Sequence, residues 1–163
     1  LSFGDALSIA LSKRKKFSNK HFVKLHPHGQ LASALILVSE IMAKGKEIPI
    51  VETKKTMRKA VSEMTKKKLG LVCCKEKNGK INILTDGDIR RHSNNLYMKK
   101  ISKISNKNPN WIYDSATALS AIEIMNSKKI TSLLVARKKD INKKIKKVIG
   151  IIHMHHCLSR GIK

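Results

Sequence analysis

Residues Gly79–Arg91 read Gly-Lys-Ile-Asn-Ile-Leu-Thr-Asp-Gly-Asp-Ile-Arg-Arg, and this stretch decides the fold. It opens as a turn at Asn78-Gly79, continues as a short apolar strand to Leu84, and then forms a polar corner before a helix. Asp86 or Asp88 can cap that helix by accepting its free backbone N–H groups. A hydroxyl and a carboxylate at such a corner can also hold a ribose or a phosphate-bearing ligand. Taken alone, the corner favours the capping interpretation.

The unit around this corner occurs twice in the chain, which strengthens the ligand interpretation. In both copies a helical segment, a β-type run, a polar turn, a second β-type run and a polar corner follow in the same order. A spacing of four residues places three matched side chains on one helix face, and this pattern is typical of a packed core. The matched residues are Thr56, Ala60 and Met64 in the first copy and Thr117, Ala121 and Met125 in the second.

Each copy also has a short strand before its long helix, so the predicted unit is strand, helix, strand, strand, helix. Neither copy can cover both faces of its small sheet alone, and we therefore expect the copies to pack as a pseudo-two-fold pair. The sequence thus predicts an α/β (α+β) fold with clefts between the sheets, where small ligands commonly bind. The predicted strands are 48–51, 69–74 and 81–84 in the first copy and 111–112, 130–135 and 148–152 in the second.

The charge of the chain is strongly positive, with 35 Lys and Arg against 11 Asp and Glu and a formal net charge of +24. Such an excess favours contact with polyanions. The basic residues are mostly Lys, however, spread along the chain among many Ile and Asn, and they lack the interleaved Arg and aromatic residues of nucleic-acid surfaces. We therefore do not expect nucleic acid as a partner, and a basic polyanion-binding module remains an alternative. The stretch Lys138–Lys147 is predicted to be a solvated hairpin loop, with an anionic partner as its alternative.

Several other classes of protein are disfavoured. No apolar run approaches the roughly 20 residues that span a bilayer, and the first residues do not form a signal peptide, so we expect a soluble, cytoplasmic protein. Cys73 and Cys74 lie in an apolar run and are predicted to be buried strand residues. The cluster His153–Cys157 lacks the carboxylate or cysteine spacing of a metal site, so no metal is expected.

The repeated unit resembles the CBS (cystathionine-β-synthase) domain, and two units in tandem resemble a Bateman module. The apolar strand followed by Thr-Asp-Gly-Asp-Ile-Arg-Arg carries the resemblance, together with the lead-ins Val38–Met42 and Ile101–Ile104. The resemblance implies an adenosine-containing ligand in the clefts between the domains, which regulates an attached enzyme or channel. It implies no required cofactor, and it implies association into homo-oligomers through the CBS pairs.

The N-terminal segment resembles the end of the sugar-isomerase (SIS) domain of arabinose-5-phosphate isomerases. The matching residues are Gly4–Leu7 and the stretch from Phe22 through His26-Pro27-His28-Gly29 to Leu31. Those enzymes join an SIS domain to a CBS pair and interconvert D-arabinose 5-phosphate and D-ribulose 5-phosphate on the way to Kdo and lipopolysaccharide. The resemblance implies that the regulatory ligand is an adenine nucleotide or CMP-Kdo, and that an SIS domain of a parent chain is a partner. His26 matches the active-site histidine, but nearly all of the SIS domain is missing, so we expect no isomerase activity from this chain alone.

The resemblance divides the chain into an SIS remnant at 1–34, a first CBS repeat at 35–97 and a second at 98–163. It places Thr85 and Asp88 at the ribose- and phosphate-contacting positions of the first repeat, and His153 and His156 at those of the second. Arg90 and Arg91 are either phosphate contacts or an exposed helix face. Three hypotheses follow: a regulatory CBS pair, a degenerate remnant that binds nothing and acts only in assembly, or the basic polyanion-binding module.

Overall fold

The computed structural model describes residues 2–18, 21 and 35–162, and its helices and strands follow the predicted order. Short 3₁₀ turns at Gly45–Glu47, Leu96–Met98 and Lys138–Asp140 connect some of these elements. The helices are α1 (Ser2–Arg14), α2 (Val38–Ile41), α3 (Met57–Lys67), α4 (Asp86–Arg91), α5 (Ile101–Ile104), α6 (Ala118–Ser127) and α7 (Met154–Leu158). The strands are β1 (Ala43–Lys44), β2 (Ile50–Glu52), β3 (Leu71–Lys75), β4 (Ile81–Thr85), β5 (Trp111–Tyr113), β6 (Ser132–Ala136) and β7 (Gly150–His153).

The two repeats build two sheets with the same internal topology. In the first sheet β2 runs parallel to β3, and β3 pairs antiparallel with β4. In the second sheet β5 runs parallel to β6, and β6 pairs antiparallel with β7. A long helix joins the two parallel strands in each repeat, as a parallel connection requires. The predicted order of strand, helix, strand, strand, helix is therefore confirmed.

The lead-in of each repeat pairs with the sheet of the other repeat, which the sequence did not predict. Strand β1 pairs antiparallel with β7, with Ala43 opposite Ile151, and makes the second sheet four-stranded. At the equivalent place in the first sheet, Asn106 and Ile83 exchange two backbone hydrogen bonds of 2.7 and 3.0 Å. Because both lead-ins cross over, each repeat completes the sheet of its partner.

The core consists of one helix-covered layer on each sheet and a shared layer between the sheets. Ala60 and Met64 of α3 pack on the first sheet, and Ala121 and Met125 of α6 pack on the second, as the four-residue spacing predicted. Thr56 and Thr117 are not part of those packed faces. Each is instead the N-cap of its helix, with Thr56 Oγ1 accepting from Lys59 N at 3.3 Å and Thr117 Oγ1 from Ser120 N at 3.2 Å.

The layer between the sheets contains side chains from both repeats. Leu71 and Cys73 of β3 pack in one cluster with Leu134 of β6 and Ile151 of β7. Burying a side chain of this size stabilises the fold by about 1.5–3 kcal/mol relative to leaving it exposed. Cys73 and Cys74 are fully buried, as predicted, and burial raises the pKa of both thiols. The shared apolar layer therefore stabilises the packing of the two repeats against each other.

The N-terminal helix α1 extends from Ser2 to Arg14, and its side chains are exposed. No described helix is both long and apolar enough to cross a bilayer. His26 and the motif 26–31 lie outside the described residues, so the prediction for His26 stays a prediction.

Candidate functional site

The polar corner after β4 is the first turn of helix α4. Thr85 is the N-cap, and its Oγ1 accepts a hydrogen bond from the backbone N of Asp88 at 3.2 Å. The Asp88 carboxylate in turn accepts from the backbone N of Thr85 at 2.9 Å, which completes a capping box. The prediction that Asp86 or Asp88 caps this helix was therefore wrong in one respect. The threonine provides the cap and Asp88 is its reciprocal partner, because α4 begins at Asp86, one to three residues earlier than a cap at Asp86 or Asp88 would allow.

Both carboxylate oxygens of Asp88 have donors. Oδ2 accepts from the backbone N and from the Oγ1 hydroxyl of Thr85, the latter at 2.7 Å. Oδ1 accepts from Arg91 Nη2 at 2.6 Å. The Asp88 side chain is only 13% exposed, whereas that of Arg91 is 67% exposed. Oδ2 is therefore held by the capping residue of the helix, whereas Oδ1 is held by an exposed side chain that solvent can replace.

A glycine lets Arg91 reach this position. A Cβ atom at Gly87 would lie 3.3 Å from Arg91 Nη1 and 3.6 Å from Thr85 Oγ1. A side chain there would push the guanidinium outward or crowd the threonine hydroxyl. The Thr-Asp-Gly-Asp sequence therefore keeps the hydroxyl, the carboxylate and the guanidinium close together.

The corner opens into a cleft of about 490 Å³ between the two repeats. This volume lies within the range of small-ligand pockets. Three basic side chains, Arg90, Arg91 and Lys129, line the cleft together with the carboxylates of Asp86 and Asp88. The remaining lining residues are Gly70, Leu71, Ile83, Thr85, Gly87, Asn106, Asn110, Ile130, Thr131, Ser132 and His153. We name this space the first cleft.

The corner after β7 repeats the same geometry with different chemistry. His153 is the N-cap of α7, and its Nδ1 accepts from the backbone N of His155 at 3.1 Å. His156 Nδ1 accepts from the backbone N of His153 at 3.3 Å. The two imidazoles thus occupy the places of Thr85 and Asp88, and both must be unprotonated at Nδ1 to accept these bonds.

The environment of these histidines favours the neutral form. Burial lowers the pKa of His153, and the neighbouring His155 and His156 lower it further. Burial is also the main cause that lowers the pKa of His156, opposed by the carboxylate of Glu47. The second corner is therefore a neutral capping box near pH 7, whereas the first contains a carboxylate.

The second corner borders a cleft of about 470 Å³, which we name the second cleft. His156 and Glu47 line it together with Lys66 and Lys67 from the end of α3. The Met42 side chain also lines it and packs against Gly150, where an added Cβ would overlap the Met42 Sδ. Glu47 provides a carboxylate to the second cleft, and its Oε2 already accepts a hydrogen bond from the backbone N of Lys44 at 3.1 Å.

The predicted ligand-binding residues separate into two groups. Thr85, Asp88, Arg90 and Arg91 all line the first cleft. His153 and His156, which were expected to form one second site, lie on different clefts, because His153 lines the first cleft and His156 the second.

Sequence reasoning missed the residues that each repeat contributes to the cleft of the other. Asn106, Asn110 and the segment 129–132 of the second repeat line the first cleft. At the equivalent places, Met42, Ala43 and the segment 66–69 of the first repeat include residues of the second cleft. Aligning the two repeats could have pointed to these segments, because the pairs Lys67-Lys68 and Lys128-Lys129 occupy the same position before β3 and β6.

The described residues contain no group of three or more His, Cys, Asp or Glu side chains placed to hold a metal ion. The three neighbouring histidines of the second corner instead contact one another. The rings of His153 and His155 stack with centroids 5.0 Å apart, and those of His153 and His156 meet edge-on at 6.2 Å. His153 and His156 also form the capping box of α7.

The fold and the sequence together define the class of protein. The family model of the CBS domain matches residues 38–95 and 101–162, so the chain belongs to the CBS domain family and contains a tandem pair of such domains.

The chain is also similar to longer proteins. The arabinose 5-phosphate isomerase KdsD of Francisella tularensis is 42% identical over 168 residues, which cover 100% of this chain and 49% of that protein. KdsD of Escherichia coli strain K12 is 35% identical over 167 residues, covering 99% of this chain and 49% of that protein. The chain thus spans about half the length of these curated relatives.

Solved structures share the fold at lower sequence identity. A CBS domain protein of Pyrobaculum aerophilum, solved in complex with AMP, superposes with a TM-score of 0.64 at 20% identity, covering 78% of this chain and 95% of that one. The CBS domain pair of protein MJ0100, solved with 5′-methylthioadenosine and S-adenosyl-L-methionine, gives a TM-score of 0.64 at 19% identity over 77% of this chain and 94% of that one. At this identity the likeness shows the fold alone.

Proposed function

We propose that this CBS pair is a regulatory module that binds an adenine nucleotide in the first cleft. The observation that carries the proposal is the Thr85–Asp88 corner, a preformed hydroxyl and carboxylate inside a cleft of about 490 Å³. Solved CBS pairs of the same fold contain AMP or S-adenosyl-L-methionine, which supports an adenosine-containing ligand here.

The corner would hold the ribose. Vicinal hydroxyl groups are good donors to a carboxylate, and a charge-assisted hydrogen bond of this kind is worth about 1.5–3 kcal/mol. Oδ2 of Asp88 is held in place by the threonine, so Oδ1 is the oxygen available to a ligand. Arg91 must release Oδ1 when the ribose binds.

The basic side chains of the cleft would hold the phosphate. Arg91 lies on the rim with its side chain largely exposed, and Arg90 and Lys129 line the same space. A guanidinium released from Asp88 can bind phosphate oxygens in a bidentate manner. Arg91 would thus exchange an internal carboxylate for a ligand phosphate. Of the two earlier interpretations of the arginine pair, this favours the phosphate contact.

The second cleft is a poorer nucleotide site on the same criteria. At the position of Asp88 it has the neutral imidazole of His156, whose Nδ1 is already used in the capping box. Met42 also occupies space beside β7. We therefore propose one nucleotide per CBS pair, bound in the first cleft.

The regulated activity is proposed from the longer relatives. Arabinose 5-phosphate isomerases match this chain over about half of their own length. We propose that the pair, when joined to an SIS domain, controls interconversion of D-arabinose 5-phosphate and D-ribulose 5-phosphate in response to the bound nucleotide. Assembly of CBS pairs into homo-oligomers would carry the signal. The pair itself would not be catalytic.

Calorimetric titration with adenosine, AMP, ATP and CMP-Kdo tests the proposal. We expect saturable binding of AMP or ATP with about one site per chain, and a loss of at least about 100-fold, or 2.7 kcal/mol, in Thr85→Val/Asp88→Asn. The matched control is His156→Gln, which alters the equivalent position of the second corner and should bind the nucleotide as the unmodified protein does. His153 is unsuitable as a control because it lines the first cleft.

Thermal unfolding of each variant must accompany the titration, since Thr85 also caps α4 and loss of an N-cap costs about 1 kcal/mol. Absence of binding by the folded, unmodified chain would contradict the regulatory proposal and favour a remnant that acts only in assembly. Binding of CMP-Kdo instead of adenine nucleotides would keep the cleft as a sensor and correct its ligand. Loss of binding in His156→Gln alone would move the site to the second cleft.

A further inference from the structure

A third cleft of about 290 Å³ is lined by four lysines and belongs to no site described above. Its walls combine three segments that are distant in sequence: the turn of the β3–β4 hairpin, the connection before β5, and the loop between β6 and β7. The lysines are Lys80, Lys107, Lys144 and Lys146, and the other lining residues are Ile81, Asn108, Pro109, Trp111 and Ile145. We name it the lysine cleft.

Packing between the repeats forms this cleft. The hairpin turn of the first repeat lies beside the β6–β7 loop of the second at Gly79, where an added Cβ would lie 3.6 Å from Ile145 Cγ2. Gly79 has φ +85°, a conformation that glycine adopts without strain. Lys146 Nζ lies 5.7 Å from the centroid of the Trp111 ring, within the range of a cation–π contact. The stretch Lys138–Lys147 was expected to be a solvated hairpin loop, and its residues 144–146 line the lysine cleft together with Lys80 and Ile81 of the first repeat.

The four ammonium groups are poorly neutralised by the protein. Among the described residues the ion pairs involve Lys54, Arg91 and Lys143, and none of the four lysines of the cleft. The nearby carboxylate is that of Glu76, whose pKa is lowered first by a hydrogen bond from Asn82 and to a smaller extent by Lys80 and Lys107. Glu76 lines a different cleft and accepts from Asn82 Nδ2 at 2.8 Å. Converging like charges repel one another, and a multivalent anion between them relieves that repulsion.

The lysine cleft and the first cleft lie on opposite sides of one chain segment. Asn106 and Asn110 line the first cleft, whereas Lys107, Asn108, Pro109 and Trp111 line the lysine cleft. Strand β4 contributes Ile83 to the first cleft and Ile81 to the lysine cleft. The two clefts are neighbours without a shared lining residue, so their ligands can be separated by mutation.

We infer that the lysine cleft binds a chain of phosphate groups, such as a tripolyphosphate. Four ammonium donors match the oxygens of several linked phosphates better than those of a single phosphate. The small volume of the cleft disfavours a bulky ligand. Lys146 Nζ already covers one face of the Trp111 ring, so that face is not free to stack on a nucleotide base. The same chemistry is present in inorganic polyphosphate and in the tail of a nucleoside triphosphate.

Tryptophan fluorescence provides the assay, because Trp111 is the single tryptophan of the chain and lines the cleft. We expect tripolyphosphate to produce a saturable change in emission that weakens steeply with salt. Replacing all four cleft lysines by Gln should weaken binding by at least tenfold. The matched control replaces Lys55, Lys59, Lys103 and Lys128, which are exposed and line none of these clefts, and should weaken binding by less than threefold.

Equal losses in the two quadruple variants would overturn the inference, because binding would then depend on net charge alone. Absence of saturation in the folded, unmodified protein would also overturn it.

In Thr85→Val/Asp88→Asn, tripolyphosphate binding should persist, and its loss there would assign the anion to the first cleft. In that same variant, ATP and tripolyphosphate should bind similarly and AMP more weakly. Binding of ATP without tripolyphosphate would contradict recognition of the phosphate chain alone.

Discussion

The two corners of the CBS pair share one backbone geometry and differ in every polar side chain. At the first, Thr85 and Asp88 form a capping box with a largely buried carboxylate. At the second, His153 and His156 form the same box with neutral imidazoles. A capping box needs only hydrogen-bond acceptors, and both pairs supply them. A ribose site needs an additional acceptor facing the cleft, and the carboxylate of the first corner is the better one.

The strands before the corners show the same divergence. Gly150 of β7 and Asn82 of β4 occupy equivalent positions, as do Met42 and Ser105 at the ends of the lead-in helices. Met42 packs over Gly150 and adds apolar volume beside the second corner. Asn82 and Ser105 are buried polar residues, and Asn82 Oδ1 and Ser105 Oγ have no partner among the described residues. At these positions the second sheet therefore has apolar packing, whereas the first has buried polar side chains.

The largest effect that sharpens this comparison is expected at Gly150. In Gly150→Ala the new Cβ would overlap the Met42 Sδ and lie 2.9 Å from the Ala43 carbonyl oxygen. Overpacking of this kind costs about 1–3 kcal/mol, and we expect the upper part of this range because one contact is to backbone. Chemical denaturation measures the loss. Adding Met42→Ala should recover part of it by removing the side-chain overlap, and an unchanged midpoint in Gly150→Ala would show that the Met42 packing is not tight.

A smaller effect is expected at Arg91, which closes the first corner. Arg91→Ala frees Asp88 Oδ1, so adenosine should bind several-fold more tightly. AMP should bind about tenfold more weakly, or about 1.4 kcal/mol, because a phosphate partner is lost. Calorimetric titration of the variant with adenosine and with AMP measures these two opposite changes in affinity. Parallel changes for adenosine and AMP would contradict the exchange of Arg91 between Asp88 and phosphate.

The smallest effect is the pH dependence of the second corner. Because the pKa values of His153 and His156 are lowered on folding, the unfolded chain binds more protons, and stability should fall as the pH drops below about 6.5. The expected loss is at most that of a helix cap, about 1 kcal/mol, and solvent screening of these half-exposed rings reduces it.

Urea unfolding at pH 7.5 and 5.5 measures this loss against the variant His153→Thr/His156→Asp. That variant copies the first corner and should lose less stability over the same interval. The lowered carboxyl pKa values of Glu52, Glu76 and Asp140 act only below about 4.5, outside this interval. Equal losses in both proteins would show that the histidine box does not carry the pH dependence.

Much of the fold could be predicted from local pattern. The helix faces at Ala60 and Ala121 and the buried run at Cys73 were read from periodicity, because a residue on a regular element faces the core at fixed intervals. The site was predictable only in part. Thr85 and Asp88 were found because they lie within one four-residue motif, whereas Asn106 and Lys129 reach the same cleft from the other repeat. A difference of one to three residues in where α4 begins also moved the cap from the aspartates to Thr85.

By itself, the sequence determined the two repeats, their order of elements and the chemistry at each corner, because these depend on neighbours within a few residues. Only the tertiary structure decided that the lead-ins exchange between the sheets, with Ala43 opposite Ile151 and Asn106 opposite Ile83. It also decided that His153 lines the first cleft and that four lysines from three segments converge on one cleft. The physical reason is that apolar burial between the sheets fixes how the repeats dock, and docking brings together side chains whose separation along the chain carries no local signal.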